Sequence, residues 1–361
     1  MTTDEMLMRR CFSLAQKGRG NVSPNPLVGA VIVKNGEIIG DGYHKRYGAA
    51  HAEIVAIQNA LKNVASLSGA ILYVNLEPCF HYGNTPPCVD TILRHKFKRV
   101  VISTKDPNPL VSGKSIHKLR QQGIECELNV LKNEGKDLNE KFFSFITTHI
   151  PFVSLKVAQT KDGFIAKNDG SSRWITNILS RRYVHHLRGE YDAVLVGANT
   201  VIVDNPLLTV RSSKGRNPIR IVLDGKLRSP VNSKIFNGDS ATIVYTSDIM
   251  SQGKKKKIQS LDNLGIAVVQ LPSKNGRIKI KSILKDLGKH KISSLLVEGG
   301  QQVYQSFLYE RCVQKIYQFT SPKEFHSGIS AFGDISMDLR STLRQRRYFA
   351  TDELKELYVH S

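Results

Sequence analysis

The sequence His51-Ala52-Glu53 begins a helical apolar pattern, and Glu77-Pro78-Cys79 follows a strand-like segment at residues 71–76. A second cysteine, Cys88, begins the next helical pattern. One imidazole and two thiolates form a ligand set that zinc prefers, and three protein ligands leave a fourth position for water. A nearby glutamate can carry the proton that deamination of an aminopyrimidine must move. The pattern therefore predicts metal ligands at His51, Cys79 and Cys88 and a catalytic acid–base at Glu53.

Around this constellation the first part of the chain alternates helical and strand patterns. Apolar residues recur at helical spacing in residues 6–17 and 54–61, and Asn35-Gly36 between two apolar runs is typical of a hairpin turn. Further strands are predicted at residues 99–103 and 125–130, with a helix at 115–122 between them. The pattern indicates an α/β fold.

A second α/β domain is predicted after Pro151, with the boundary near residues 148–151. Apolar strand-length segments recur there, with helical patterns between them. The predicted strands are residues 152–158, 193–197, 219–223, 241–246, 267–271 and 294–297, and the predicted helices are residues 180–187, 280–287 and 303–309. In this part Glu298-Gly299-Gly300 lies between a strand and a helix, where backbone N–H groups can approach a phosphate. A purely structural glycine turn fits the same residues.

The composition excludes several classes of protein. The 361 residues contain 40% hydrophobic and 23% charged residues, as ordinary globular chains do, and no apolar run approaches the ~20 residues of a membrane span. The N-terminal residues lack the apolar core of a secretory signal, and five scattered cysteines do not form a disulfide framework, so we expect a cytoplasmic protein.

The charge is strongly positive and uneven. Lys and Arg outnumber Asp and Glu by 52 to 31, a net charge of +21, of which residues 1–149 contribute +6 and residues 150–361 contribute +15. Such an excess predicts anionic partners, either nucleic acid or phosphorylated metabolites. The lysine run at residues 254–257 is interpreted as a solvated loop.

The motifs in order resemble those of the bifunctional riboflavin-biosynthesis deaminase/reductase family. The first part contributes Ser23-Pro24-Asn25-Pro26-Leu27-Val28-Gly29, Gly42-Tyr43-His44, His51-Ala52-Glu53, the segment from Glu77 to Cys88, and Lys105-Asp106-Pro107-Asn108-Pro109. The second part contributes Lys156-Val157-Ala158, Ser172-Arg173-Trp174-Ile175-Thr176, Gly197-Ala198-Asn199-Thr200-Val201 and the segment from Asp204 to Arg211.

The resemblance implies an α/β protein of two domains. A cytidine-deaminase-like α/β/α domain over residues 1–148 would be followed by a dihydrofolate-reductase-like α/β domain over residues 149–361. The first would bind Zn²⁺ and deaminate 2,5-diamino-6-ribosylamino-4(3H)-pyrimidinone 5′-phosphate. The second would use NADPH to reduce the ribosyl group, giving 5-amino-6-(5-phosphoribitylamino)uracil. The expected partner is this small phosphorylated pyrimidine. We expect the protein to bind neither a membrane nor nucleic acid, and to form a homo-oligomer.

The resemblance also implies site residues beyond the zinc ligands and Glu53. Asn25, His44 and His81 would line the deaminase pocket. In the reductase, Asp204 would act in catalysis. The residues expected to contact the cofactor are Ala158, Trp174, Thr200, Asp204, Gly300, Gln301 and Gln302. Those expected to contact the substrate are Ser172, Arg188, Leu208, Arg211 and Glu298.

Two of these residues have plain structural interpretations as well. Trp174 could be a core aromatic instead of a wall beside a nicotinamide ring, and Asp204 could cap the turn before Asn205-Pro206. For the arginines the chemistry agrees with the resemblance, because a guanidinium pairs with phosphate oxygens through two parallel hydrogen bonds.

Two alternative functions belong to other classes. A nucleic-acid base deaminase acting on tRNA, with a basic appendage, would explain the positive charge. Most of that charge, however, lies away from the predicted zinc ligands, and nucleic-acid binding does not explain Trp174 and Asp204. A non-catalytic interaction protein with decayed sites is the other alternative, and the intact set of His51, Glu53, Cys79 and Cys88 argues against it.

Overall fold

The computed structural model describes residues 2–80, 86–171, 174–212, 215–337 and 340–360. The chain divides into two compact units, Met1–His149 and Ile150–Ser361. Each has an α/β architecture around its own sheet, which confirms the predicted fold class. Among the described residues, no helix combines the length and the apolar character that crossing a membrane requires.

The first unit has one five-stranded sheet in the order β2-β1-β3-β4-β5. Strand β1 is antiparallel to both of its neighbours, whereas β3, β4 and β5 are parallel. Its elements in chain order are α1 (Thr3–Gln16), β1 (Gly29–Lys34), β2 (Glu37–Tyr43), α2 (Ala52–Ala60), β3 (Ile71–Leu76), α3 (Cys88–Arg94), β4 (Arg99–Thr104), α4 (Lys114–Gln121), β5 (Glu125–Leu128), α5 (Lys132–Leu138) and α6 (Glu140–Thr148).

Strand side chains alternate between two apolar layers, as a pleated sheet requires. On β1, Ala30 and Ile32 pack with α2, α3 and α4, whereas Val31 and Val33 pack with α1. Helix α2 lies very close to β2, since a Cβ at Gly40 would be only 2.5 Å from the Ala60 nitrogen. This close approach fixes the position of α2, whose first turn contains Glu53.

The second unit has a nine-stranded sheet in the order β11-β10-β9-β8-β14-β6-β15-β18-β17. Strands from β11 through β15 in that order are parallel, and the C-terminal β18 and β17 continue the sheet in antiparallel fashion. The main elements are β6 (Phe152–Gln159), α7 (Ile178–Glu190), β8 (Ala193–Gly197), α8 (Ala198–Asp204), β9 (Ile219–Leu223), β10 (Thr242–Ser247), α9 (Gln252–Asp262), β11 (Ala267–Leu271), α10 (Ile280–Lys289), β14 (Ser294–Gly299), α11 (Gln301–Tyr309), β15 (Lys315–Thr320), β17 (Ser341–Phe349) and β18 (Asp352–Val359).

Short elements complete this unit. Strand β7 (Phe164–Ala166) pairs with β16 (Ile329–Ser330), and β12 (Ser273–Lys274) pairs with β13 (Arg277–Ile278). Helices α10 and α11 cover one face of the large sheet, and α7 and α9 lie on the other face. The order β8-β14-β6 places the carboxyl ends of three parallel strands side by side, which is where ligands bind in open α/β sheets.

The lysine run at residues 254–257 is the main departure from the predicted elements. These residues lie in α9, not in a solvated loop. Lys254 is buried, and its Nζ donates to the Ile249 carbonyl at 3.0 Å and to the Ser247 Oγ at 3.0 Å, and also bonds the Ser247 carbonyl. Several oxygen acceptors replace the water that a buried ammonium loses, so this lysine is tolerated inside.

Candidate active sites

The predicted metal ligands come together at one place in the first unit. His51 immediately precedes α2, Cys79 follows β3, and Cys88 is the first residue of α3. The ligand atoms of the three residues all lie within 4.8 Å of one another. The His51 Nδ1 is 3.2 Å from the Cys88 Sγ and 3.5 Å from the Cys79 Sγ. One nitrogen and two sulfurs at such separations suit the tetrahedral preference of zinc.

The local electrostatics favours a thiolate at Cys79. The Cys88 thiol and the Cys88 backbone N–H both donate to the Cys79 Sγ, the latter at 3.1 Å, and these bonds lower the pKa of Cys79. In turn, the bond to Cys79 and burial raise the pKa of Cys88. The Cys79 side chain, as hydrogen-bond partner, raises the pKa of His51 to about 8. These protons are the ones that a metal ion displaces, since only the deprotonated ligands bind.

Glu53 lies in the first turn of α2, and only 3% of its surface is exposed. Burial raises the pKa of its carboxyl group, and the neighbouring Cys79 raises it further. A carboxyl with a raised pKa next to a metal site is suited to accept and return a proton near neutral pH.

Of the three predicted pocket residues, Asn25 and His44 contact each other. The His44 Nδ1 lies 3.1 Å from the Ala50 carbonyl, which can only accept, so Nδ1 carries the hydrogen. The His44 Nε2 then accepts from the Asn25 Nδ2 at 3.1 Å. The rings of His44 and His51 meet edge to face at 5.5 Å. His81 lies outside the described residues.

Glu77 has a role that the sequence analysis does not assign. Its buried carboxylate accepts from the Ser115 Oγ at 2.6 Å, the Gly113 N–H at 3.0 Å and the Asp106 N–H at 3.3 Å. It thereby ties the loop before α4 to the turn that contains Cys79. In the sequence, only its place two residues before Cys79 distinguishes Glu77.

The second unit places most of its predicted residues at the carboxyl ends of β6, β8 and β14. Ala158 lies near the end of β6, and Thr200 and Asp204 lie in α8, which directly follows β8. Gly300 precedes α11, whose first two residues are Gln301 and Gln302. A Cβ at Gly300 would be 3.7 Å from the Thr200 Oγ1, so this hydroxyl faces the glycine pair.

Arg188 and Glu298 form a buried ion pair at this edge. The Arg188 Nε and Nη2 donate to the Glu298 Oε1 and Oε2 at 2.6 and 2.9 Å. Burial alone would raise the pKa of Glu298, but the guanidinium holds it below its usual value. The Lys156 Nζ lies 3.9 Å from the Glu298 Oε2, and burial lowers the pKa of this lysine. In the sequence, Lys156 is distinguished only as a lysine within an apolar strand.

The loop after α8 is held against α7. The Thr209 carbonyl lies 2.9 Å from the His185 Nδ1 and 3.3 Å from the Arg188 Nη1. This loop contains two predicted substrate residues, the buried Leu208 and the exposed Arg211. Ser172 lies outside the described residues.

Trp174 is not a core aromatic, because 62% of its surface is exposed. The Arg181 guanidinium lies 4.4 Å from its ring centroid, and the Lys323 Nζ donates to its carbonyl at 2.5 Å. The structure therefore leaves the indole ring accessible to a ligand.

Comparison with known proteins finds a family model for each of the two units. Residues 1–104 match the model of the cytidine and deoxycytidylate deaminase zinc-binding region, and residues 151–353 match that of the RibD C-terminal domain. The riboflavin biosynthesis protein RibD of Aquifex aeolicus is 44% identical over 346 residues, which cover 95% of this chain and 94% of the relative.

The chain belongs to the RibD family.

It is a bifunctional deaminase and reductase of riboflavin biosynthesis. The RibD protein of Escherichia coli is 36% identical, with 89% of this chain and 88% of the relative covered. Among solved structures, a Thermotoga maritima diaminohydroxyphosphoribosylaminopyrimidine deaminase/5-amino-6-(5-phosphoribosylamino)uracil reductase superposes with a TM-score of 0.87 at 41% identity, covering 99% of each chain. Acinetobacter baumannii RibD superposes with a TM-score of 0.88 at 32% identity and the same coverage. The family supports the deaminase/reductase interpretation over the tRNA deaminase alternative.

Proposed function

We propose that residues 1–148 form a zinc-dependent deaminase and residues 149–361 an NADPH-dependent reductase, which act in succession on one phosphorylated pyrimidine. The first would replace an amino group of the diaminopyrimidinone ribosylamine phosphate by oxygen, consuming water and releasing ammonia. The second would reduce the ribosyl group of the product to a ribityl chain. The observation that carries the proposal is the convergence of His51, Cys79 and Cys88 within 4.8 Å beside the buried Glu53.

In the deaminase, His51, Cys79 and Cys88 would hold the zinc ion, and their nitrogen and two sulfurs fit it. Bound zinc supplies a Lewis acid that makes water nucleophilic at neutral pH. Glu53 accepts the proton from the attacking water and delivers it to the departing amine. Asn25 and His44 hold the pyrimidine. The Ala50 carbonyl keeps the ring hydrogen on the His44 Nδ1, and burial lowers the pKa of His44, which favours the neutral ring.

In the reductase, NADPH supplies the hydride when bound. Thr200, which faces Gly300, and the backbone of residues 300–302 at the start of α11 would hold the cofactor phosphates. Ala158 and Trp174 would contact the nicotinamide end. These residues fit a dinucleotide because Gly299 and Gly300 have no side chains, so their backbone can come close to the cofactor.

The substrate side of the reductase has a separate set of residues. Arg211, with Arg188 beside it, binds the ribose phosphate, and Leu208 lines the same loop. Glu298 hydrogen-bonds the substrate, and Arg188 keeps the Glu298 carboxylate ionised. Asp204 polarises the sugar end that receives the hydride, and the partly buried Lys156 lies in the same charged cluster. Both substrates carry a phosphate, which agrees with the positive charge of the chain.

The test is to assay ammonia release and NADPH oxidation by the Glu53→Ala and Asp204→Ala variants. The first should lose deamination while retaining zinc, and the second should lose only reduction. Deamination retained in Glu53→Ala would refute the proton-shuttle assignment. The homo-oligomeric state and the cytoplasmic location stay predictions, and sedimentation of the purified chain would test the first of them.

A further inference from the structure

Two buried asparagine side chains hold the segment that contains Asn25. The Asn139 amide accepts from the Leu27 N–H at 2.8 Å and donates to the Leu27 carbonyl at 3.0 Å. The Asn75 amide donates to the same carbonyl at 2.9 Å and accepts from the Gly29 N–H at 2.7 Å. Asn75 is fully buried and Asn139 is 3% exposed. The backbone of residues 27–29 is therefore fixed by four hydrogen bonds from two side chains.

This braced segment continues directly into the deaminase pocket. The Val28 carbonyl accepts from the His44 N–H at 2.9 Å. The His44 ring in turn bonds the Asn25 amide and meets the ring of His51. Movement of residues 27–29 would therefore displace both pocket side chains together.

Asn139 lies far along the chain from the segment that it holds. It lies between α5 and α6, beyond residues 1–104, which match the zinc-binding-region model. Its side chain bonds a residue 112 positions earlier and does not cap the helix that follows it. A buried amide that makes both of these bonds to the backbone of one distant residue is suited to hold that backbone in place.

We propose that Asn139 is a positioning residue for the deaminase, fixing residues 25–29 so that Asn25 and His44 receive the pyrimidine. This inference rests on the proposed pocket role of Asn25. The two hydrogen bonds of the Asn139 side chain go to the Leu27 backbone. Its loss should weaken substrate binding without removing the acid–base group or the zinc.

The test compares Asn139→Ala, Asn25→Ala and the double variant in the full-length, zinc-loaded chain. The readouts are KM and kcat for ammonia release, zinc content, and NADPH oxidation with the deaminated substrate. Asn139→Ala should raise KM about tenfold with kcat changed less than about threefold, because misplaced binding groups weaken the substrate complex. Zinc content and NADPH oxidation should match the parent chain. The double variant should have the KM of Asn25→Ala, because both changes remove one interaction.

Asn59→Ala is the matched control. The Asn59 Nδ2 donates to the Asp41 carbonyl at 2.9 Å, a comparable bond within the same unit but away from residues 25–29. Its KM should stay within about twofold of the parent. If Asn139→Ala does not fold, Asn139→Asp replaces it, since the carboxylate retains the acceptor for the Leu27 N–H.

Four results would overturn the inference. In the first, Asn139→Ala leaves KM unchanged while Asn25→Ala raises it, so that the pocket does not depend on Asn139. In the second, the effects of the two substitutions on KM multiply in the double variant. In the third, Asn59→Ala raises KM as much as Asn139→Ala does. In the fourth, Asn25→Ala itself leaves KM unchanged, which refutes the proposed pocket and with it the inference.

Discussion

Arg188 on α7 and Glu298 on β14 are joined by two hydrogen bonds of 2.6 and 2.9 Å, and only 12% and 5% of their side chains are exposed. This pair orients a carboxylate at the edge of the sheet where the strand ends meet. A buried pair of this kind is costly to break on one side, because the remaining charge stays buried without a partner.

Glu298→Gln should therefore destabilise the second unit. We expect a loss of about 3 kcal/mol in the free energy of unfolding, since the substitution leaves Arg188 unpaired. Urea unfolding followed by the fluorescence of Trp174 reports on this unit, because the chain has one tryptophan. Glu353→Gln is the control: its pair with Arg346 is more exposed, at 22% and 48% of the side chains, and should contribute less than about 1 kcal/mol. Equal effects of the two substitutions would contradict the prediction.

The same pair predicts a pH dependence. The pKa of Glu298 is lower in the folded chain than its ordinary value of 4.5, because the stabilising effect of Arg188 exceeds the opposite effect of burial. A group whose pKa falls on folding stabilises the fold above its unfolded pKa, and this contribution is lost as pH falls through the folded pKa. The stability difference between the parent and Glu298→Gln should thus be constant near neutral pH and shrink below about pH 4.5. A stability difference that grows as the pH falls would contradict this prediction.

Trp174 should report cofactor binding directly. Its indole ring is 62% exposed, so a nicotinamide stacked on it would alter its emission. NADPH should quench the tryptophan fluorescence in a saturable manner, and removal of zinc by a chelator should not change the titration. Trp174→Phe should cost less than about 1 kcal/mol in stability, as expected for an exposed side chain. Unchanged emission at NADPH concentrations that saturate the reductase would place the cofactor elsewhere.

Glu53→Gln should separate proton transfer from metal binding. The amide keeps the volume of the side chain but cannot accept a proton, so ammonia release should fall at least about 100-fold. Zinc content should stay at one ion per chain, and NADPH oxidation with the deaminated substrate should stay at the parent rate. Loss of zinc from this variant would instead indicate a structural role in the metal site.

The sequence predicts those features that depend on local pattern. Asn35 and Gly36 both have positive φ, as the hairpin prediction requires, and β3 has the predicted bounds. The convergence of His51, Cys79 and Cys88 follows from strand and helix starts that the periodicity reveals. Local patterns suffice here because turn chemistry and zinc chemistry each need particular residue types.

Other features depend on partners that are distant in sequence. Asn139, Glu77 and Lys254 are ordinary polar residues until folding brings backbone carbonyls and N–H groups to them. A lysine in a lysine run is normally solvated, and only the acceptors at residues 247–249 reveal that Lys254 is inside. Such polar contacts are formed by the tertiary structure, which composition and spacing do not specify.

The most direct test of two successive activities is to follow ammonia and NADPH in a single reaction with the diaminopyrimidinone ribosylamine phosphate. We predict that ammonia is released at the same rate with or without NADPH. When NADPH is present, its oxidation should follow after a lag and reach one equivalent per ammonia. NADPH oxidation that precedes ammonia release, or ammonia release that requires NADPH, would contradict the proposed order of the two sites.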